Sequence, residues 1–150
     1  MPGGCVGAAT THWEHKPSLL ADADAALLDN GPLAGQVSGV TKALELVGPK
    51  TLPDTLRCVE QGGIVCSTGI LGGVSTLDGF DPIKDIPNGV YLTGFFSNYP
   101  TQPAMDRIFQ FLQKHRLSPR IGAAFDLAHI MDACIALDSG TVDGKIVVTV

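Results

Sequence analysis

The sequence predicts an α/β protein built on a parallel β-sheet. Short β-rich runs alternate with helical stretches, and this alternation is typical of βαβ units. The clearest strand, residues 63–69, is an almost continuous apolar run, as expected for a parallel strand that is covered on both faces. Two later segments, beginning at Met105 and Leu127, carry apolar residues at i, i+3, i+4 and i+7, the spacing of one helix face.

Turn residues divide the first half of the chain into short elements. Strands are predicted at residues 5–10, 25–28, 43–47 and 63–69, and helices at 12–22, 33–38 and 52–59. Asp29-Asn30-Gly31-Pro32 is a strong turn signal after the second strand, and Gly48-Pro49 ends the third. We expect Gln61-Gly62-Gly63 to cap helix 52–59, because glycine readily adopts the left-handed conformation found at helix C-termini.

The second half begins with a loop rich in glycine and proline. It continues with strands at 90–96, 121–125 and 146–150 and with helices at 103–114 and from Leu127 onwards. Asp126 is the expected N-cap of the last helix, and Ser139-Gly140 is expected to end it. Because ligands bind at the carboxyl ends of parallel strands, the residues that directly follow each strand are the first candidates for a site.

Composition and charge exclude several classes of protein. Of the 150 residues, 45% are hydrophobic and 17% charged, which is unlike a solvated disordered segment. The formal net charge is −5 and the longest basic cluster is Lys114-His115-Arg116, so we expect no nucleic-acid or membrane partner. The apolar runs are far shorter than the ~20 residues that span a bilayer, and the first residues lack a signal-peptide pattern. These observations favour a cytoplasmic protein.

The chain carries no recognised metal or nucleophile motif. It has four cysteines: Cys5, Cys58, Cys66 and Cys134. No two of them form a CxxC pair, so we expect reduced, buried thiols and no zinc ribbon. The four histidines form no ligand spacing with carboxylates, and no Ser-His-Asp or Cys-His arrangement is visible. We therefore predict no metal site and assign no catalytic residue.

Four stretches carry a family likeness. They are Ala9-Thr10-Thr11-His12, Leu44-Glu45-Leu46-Val47-Gly48 with helix 51–59, residues 62–69, and the ending formed by 136–140 and 144–148. In this order they resemble the second strand and cofactor loop, the fourth strand and helix, the fifth strand, and the C-terminal helix and strand of a medium-chain dehydrogenase/reductase. The likeness is strongest to the zinc-free quinone oxidoreductase branch and spans nearly the whole chain.

The resemblance implies a partial Rossmann-type parallel sheet with flanking helices. The first strand and the Gly-rich turn that hold the pyrophosphate in this family have no counterpart here, since no strand precedes residues 1–7 and their glycines lack GxGxxG spacing. We therefore expect a truncated member. Residues 1–116 would be a partial nucleotide-binding domain, and 117–150 would be a segment with C-terminal strands that pack on an absent catalytic domain.

The resemblance also implies which residues contact the cofactor. At the end of the first strand, hydroxyl and cationic groups stand where an acidic residue would bind the ribose of NAD, and this favours the 2′-phosphate of NADP(H). Glu14 weakens this preference, because its carboxylate would compete for the nearby cation. The candidate cofactor-binding residues are Thr10, Thr11, His12, Lys16, Val47, Gly48, Gly69, Leu71, Phe96, Ser97, Gly144 and Lys145.

A purely structural role stays open at each of these positions. The residues after the first strand would otherwise form a solvated loop, and the glycines would serve turn geometry. Phe96 and its neighbour Phe95 would be core and interface residues of an edge strand. Gly144-Lys145 would simply begin a strand.

By resemblance, the chain is an NADP(H)-dependent oxidoreductase that reduces a small quinone or an α,β-unsaturated carbonyl by hydride transfer, with the cofactor carrying the chemistry. Two alternatives stay open. In the first, the chain is a non-catalytic fragment in which strands 121–125 and 146–150 are exposed edges. In the second, it is a dimerisation module that pairs the edge strand 90–97 with a second copy.

Overall fold

The computed structural model describes residues 7–11, 14, 20, 22–98 and 100–150. The described strands are β1 (Ala8–Thr11), β2 (Ala25–Leu28), β3 (Val40–Glu45), β4 (Val59–Ser67), β5 (Tyr91–Gly94), β6 (Ile121–Asp126) and β7 (Lys145–Thr149). The α-helices are α1 (Leu52–Cys58), α2 (Pro82–Asp85), α3 (Gln102–His115) and α4 (Ile130–Ser139), with short 3-10 helices at Leu33–Gly35 and Leu127–His129. All the strand pairs are parallel, which confirms the predicted α/β class.

The chain divides into two compact units. One consists of Met1–Leu28 with Pro100–Val150, and the other of Asp29–Tyr99. In the first unit β1 pairs with β2 and β6 pairs with β7, whereas in the second the order β3-β4-β5 forms a three-stranded sheet. The assignment of residues 1–116 and 117–150 to parts of two different domains stays a prediction.

Helix α1 covers one face of the three-stranded sheet. Leu52 and Leu56 of the helix lie in a buried cluster with Val59, Val65 and Val90. Leu56 and Val65 are fully buried, and each such side chain contributes about 1.5–3 kcal/mol relative to an exposed one. This cluster fixes the helix against the sheet.

The opposite face of the same sheet is open. Side chains alternate along a strand, so the residues flanking Val65 point away from α1. The register places Leu44 beside Cys66 and Ile64 beside Tyr91, and Leu44, Ile64 and Tyr91 are all exposed. The expectation that residues 63–69 are covered on both faces is therefore wrong for the described part of the protein, because only the α1 side is packed.

Two predicted strand ends and one predicted helix cap need correction. β3 stops at Glu45, so Leu46 and Val47 belong to the following turn. Gln61-Gly62-Gly63 does not cap α1, because the chain passes directly from α1 into β4 and these residues lie within that strand. The glycines instead accompany a register shift between β3 and β4, with Gly62 at φ 88°. β5 ends at Gly94, so Phe95, Phe96 and Ser97 follow the strand.

The C-terminal elements follow the predictions closely. The Thr101 side chain accepts a hydrogen bond from the Ala104 amide and so caps α3. Asp126 caps the 3-10 turn before α4 by accepting from the His129 amide, and Gly140 ends α4 at φ 63°. β6 and β7, which one alternative treats as exposed edges, pair with each other in a two-stranded sheet, so each of them is still an edge strand of that sheet.

The N-terminal elements are described only in part. The second half of the predicted strand 5–10 is β1, whereas Cys5 and Val6 lie outside the described residues. Most of the predicted helix 12–22 lies outside them as well. None of the helices in the described ranges combines the length and the apolar character needed to cross a membrane.

Candidate functional site

The carboxyl ends of β3, β4 and β5 lie at the same edge of one parallel sheet. Residues 46–48 follow β3, 68–72 follow β4 and 95–97 follow β5. Backbone hydrogen bonds join the three segments: the Leu71 amide donates to the Leu46 carbonyl (3.2 Å), and the Phe95 amide donates to the Ser67 carbonyl (3.0 Å). This edge brings together half of the predicted site residues, namely Val47, Gly48, Gly69, Leu71, Phe96 and Ser97.

Two glycines allow the turns after β3 and β4 to approach each other. Gly48 is buried with φ +96°, and a Cβ there would lie 2.7 Å from the Gly69 carbonyl oxygen. A Cβ on Gly69 would overlap the Leu46 carbonyl. Glycine is required at both positions by the packing of the two turns. A contact with cofactor at the same positions stays a prediction.

Glu45, the last residue of β3, is a buried carboxylate with four donors. It is only 4% exposed. Its Oε1 accepts from the Val47 amide (2.7 Å), the Gly48 amide (3.0 Å) and the Thr51 hydroxyl (2.9 Å). Its Oε2 accepts from the Thr55 hydroxyl at 2.5 Å. These bonds offset the cost of removing the charge from water.

Sequence reasoning missed this role of Glu45. A signal was present, because an acidic residue at the end of an apolar strand is followed by Gly48-Pro49 and then by two threonines four residues apart, Thr51 and Thr55. Residues at i and i+4 share one face of a helix, so both hydroxyls can face the same carboxylate.

Exposed apolar side chains dominate the surface of this edge. Leu71 and Phe96 are each 81% exposed. The amides of Val47 and Gly48 donate to Glu45, and those of Leu71 and Gly72 donate to backbone carbonyls. The edge therefore offers apolar surface more than amide donors, and exposed apolar patches commonly mark ligand or interaction sites. The exposed apolar residues here are Leu46, Val47, Ile70, Leu71, Phe95 and Phe96.

The other predicted site residues belong to the other compact unit or lie outside the described residues. Thr10 is exposed and Thr11 half-buried at the end of β1, whereas His12 and Lys16 are outside the described part. Gly144 and Lys145 lie at the start of β7, where the Lys145 amide donates to the Arg120 carbonyl (2.7 Å). Gly144 has φ +124°, so a structural reason for glycine exists there too.

Among the residues that the structure describes, two titratable groups have shifted pKa values, and neither lies at the sheet edge. Burial, together with the charges of Asp54 and Asp29, raises the pKa of the Cys58 thiol. Lys84 and the Ile83 amide lower the pKa of Asp81, with Lys84 Nζ 3.1 Å from its carboxylate.

The described part of the protein has free thiols and no cluster of metal ligands. Among the described cysteines, Cys58, Cys66 and Cys134 are free, as expected, but Cys134 is exposed, so the expectation that it is buried is wrong. The adjacent Ala133 is buried, whereas Met131, Ile135 and Leu137 on the same helix are exposed. Within the described ranges, no group of three or more His, Cys, Asp or Glu side chains is placed to hold a metal ion.

Comparison with known proteins shows one family. The sequence profile of a family described as zinc-binding dehydrogenase matches residues 21–148. No curated protein sequence matches the chain significantly.

Solved structures with the same fold are numerous. An NAD-dependent alcohol dehydrogenase superposes with a TM-score of 0.74 at 19% identity, covering 95% of this chain and 43% of its own. A quinone oxidoreductase of Pseudomonas syringae pv. Tomato DC3000 gives 0.73 at 19% identity, covering 95% and 48%. A mycobacterial protein complexed with NADPH gives 0.73 at 20% identity, with the same coverage. The chain thus spans less than half the length of each of these proteins.

Proposed function

The chain belongs to the zinc-binding dehydrogenase family, and from this premise we propose that it contributes the cofactor-binding part of a cytoplasmic oxidoreductase. The substrate would be a small quinone or an α,β-unsaturated carbonyl, and the cofactor NADP(H). The observation that carries the proposal is the exposed apolar edge where three parallel strands end, because open α/β sheets bind their ligands at this edge.

The residues at the edge fit a nicotinamide dinucleotide. Val47 and Leu71 offer apolar surface for a flat ring, and the glycine-dependent contact between their turns keeps both in fixed positions. Phe96 and Ser97 would flank the same ring from the end of β5. When bound, the cofactor supplies the hydride, and the chain's residues bind it and exclude water.

Solved relatives leave the choice between NAD(H) and NADP(H) open, since one is named NAD-dependent and another is complexed with NADPH. Our preference for NADP(H) rests on Thr10, Thr11, His12 and Lys16. Hydroxyl and cationic groups suit a 2′-phosphate, and the described part of this set ends β1 with Thr10 exposed.

Binding of NADPH to the full chain, measured by isothermal titration calorimetry, tests the proposal. We expect saturable binding that Leu71→Asp weakens by about tenfold, since loss of an apolar contact and a new negative charge both oppose an anionic cofactor. Ile83→Asp is the matched control, because Ile83 is 90% exposed in the same unit but lies on α2. Absence of binding at millimolar NADPH, or an equal loss in the control, would contradict the proposal.

One observation favours a second role, a homodimer formed through residues 90–97. β5 is at the edge of its sheet, and Tyr91 and Thr93 on it are exposed. An edge strand with unpaired backbone groups can pair with the same strand of a second copy. The Phe95 amide faces β4, so the Gly94 amide faces the open edge and can be removed without breaking the β4–β5 pairing. Size-exclusion chromatography with light scattering tests this: a dimer that Gly94→Pro converts to monomer supports it, and a wild-type monomer at high concentration contradicts it.

A further inference from the structure

Glu45 connects the two parts of the sheet edge that carry the proposed cofactor contacts. Its side chain holds the turn after β3 through the amides of Val47 and Gly48. Its own carbonyl accepts from the Thr68 amide (3.0 Å), at the start of the loop after β4. One buried residue therefore bonds to both segments, and no other ionisable group in the described part of the protein is buried to this extent.

The same carboxylate joins the turn to helix α1. The Thr51 and Thr55 hydroxyls donate to its two oxygens, and the Gly48 carbonyl accepts from the Leu52 amide (3.0 Å). The charge of Glu45 thus lies at the N-terminus of α1, where the helix dipole favours an anion. Helix, strand and turn are fixed to one another around a single side chain.

We infer that Glu45 is a positioning residue for nicotinamide dinucleotide binding. It draws the Val47 and Gly48 amides into the protein, so that the turn presents its apolar side to the ligand. It touches no ligand itself and acts through the turn. The inference rests on the proposed function, because it specifies how the edge described above is held ready for the cofactor.

Thr55→Val is the sharpest test, because it keeps the side-chain shape and removes the hydroxyl that donates to Oε2. Hydrogen bonds to a charged group are strong, so we expect about fivefold to tenfold weaker NADPH binding and faster amide exchange at Val47 and Gly48. Val90→Ala is the matched control, since Val90 is a buried core residue that precedes β5, away from the carboxyl edge. It should lower the melting temperature without changing binding or local exchange.

A second pair of variants separates positioning from general stability. Glu45→Gln keeps an acceptor for the two amides, so binding should stay within about threefold of the unmodified chain. Glu45→Ala removes every acceptor and should lose binding by tenfold or more. If Thr55→Val leaves both Kd and local exchange unchanged, or if Val90→Ala weakens binding as much, the inference is wrong while the proposed function stands. If the unmodified chain binds no NADPH, both are wrong.

Discussion

Gly69 faces the Leu46 carbonyl so closely that a Cβ on Gly69 would overlap it. The contact holds the turn after β3 against the loop after β4. No side chain lies between the two segments at this point, so the backbone of one packs directly on the backbone of the other. The sheet edge therefore depends on the absence of one methyl group.

Gly69→Ala should destabilise the protein by about 2–3 kcal/mol, because the added methyl must push the two segments apart. Urea unfolding followed by circular dichroism measures the change. Gly35→Ala is the control, since a Cβ at Gly35 meets nothing within 4 Å and that variant should be neutral or slightly stabilising. Equal unfolding midpoints for the two variants would contradict the packing described here.

The two faces of the three-stranded sheet should respond differently to truncation. Leu56 is fully buried between α1 and the sheet, so Leu56→Ala should cost about 2–5 kcal/mol. Leu44 is 65% exposed on the open face, and Leu44→Ala should cost less than about 0.5 kcal/mol. The same urea measurements compare both. A large cost at Leu44 would show that the open face is covered in solution.

The elements of this fold were mostly predictable because they depend on local pattern. The apolar stripe of Met105, Ile108, Phe109 and Leu112 predicted α3 almost to its ends. The C-cap of α3 was not predictable. Arg116 follows the helix with φ 53°, a left-handed conformation that arginine rarely adopts. The exposure of one face of β4 was not predictable either, because the apolar residues of a strand do not show which other elements cover them.

The site was predictable as a set of strand ends, and half of its residues meet at one edge. The sequence carries the residue pattern around Glu45, but the pattern alone does not assign its role, because that role depends on how α1 turns back towards β3. Only that return brings the Thr51 and Thr55 hydroxyls to the carboxylate. Likewise, the Gln61-Gly62-Gly63 stretch has the local signal of a helix cap but is used inside β4, where tertiary pairing with β3 decides its conformation.

Stability should fall at high pH partly through Cys58. The folded state raises the pKa of this thiol through burial and the nearby Asp54 and Asp29 charges. Its contribution is therefore fully present below the ordinary thiol pKa of about 8.5 and is lost as the pH rises through the folded-state value. Between pH 7 and pH 10, the urea unfolding midpoint should fall more for the unmodified chain than for Cys58→Ala. Parallel falls in the two proteins would show that Cys58 does not contribute.

The turn before α4 should depend on Asp126. One oxygen of its carboxylate accepts from the His129 amide (3.0 Å) and lies 2.6 Å from His129 Nδ1. Asp126→Ala removes this cap and should cost about 1 kcal/mol, whereas Asp126→Asn keeps an acceptor and should cost less. Thermal unfolding of the three proteins ranks them. An alanine variant as stable as the unmodified chain would show that the cap contributes nothing to the free energy of unfolding.

Cofactor preference gives the last prediction. If Lys16 pairs with the 2′-phosphate of NADP(H), Lys16→Met should weaken NADPH binding by about tenfold and leave NADH binding unchanged, because only NADPH carries that phosphate. The difference should shrink as salt is added, since salt screens the attraction between a lysine and a phosphate. Lys114→Met, on α3, removes the same charge from a position outside the predicted site and controls for net charge. Calorimetric titration of both nucleotides into all three proteins gives the comparison, and equal weakening of NADPH and NADH would contradict a phosphate contact at Lys16.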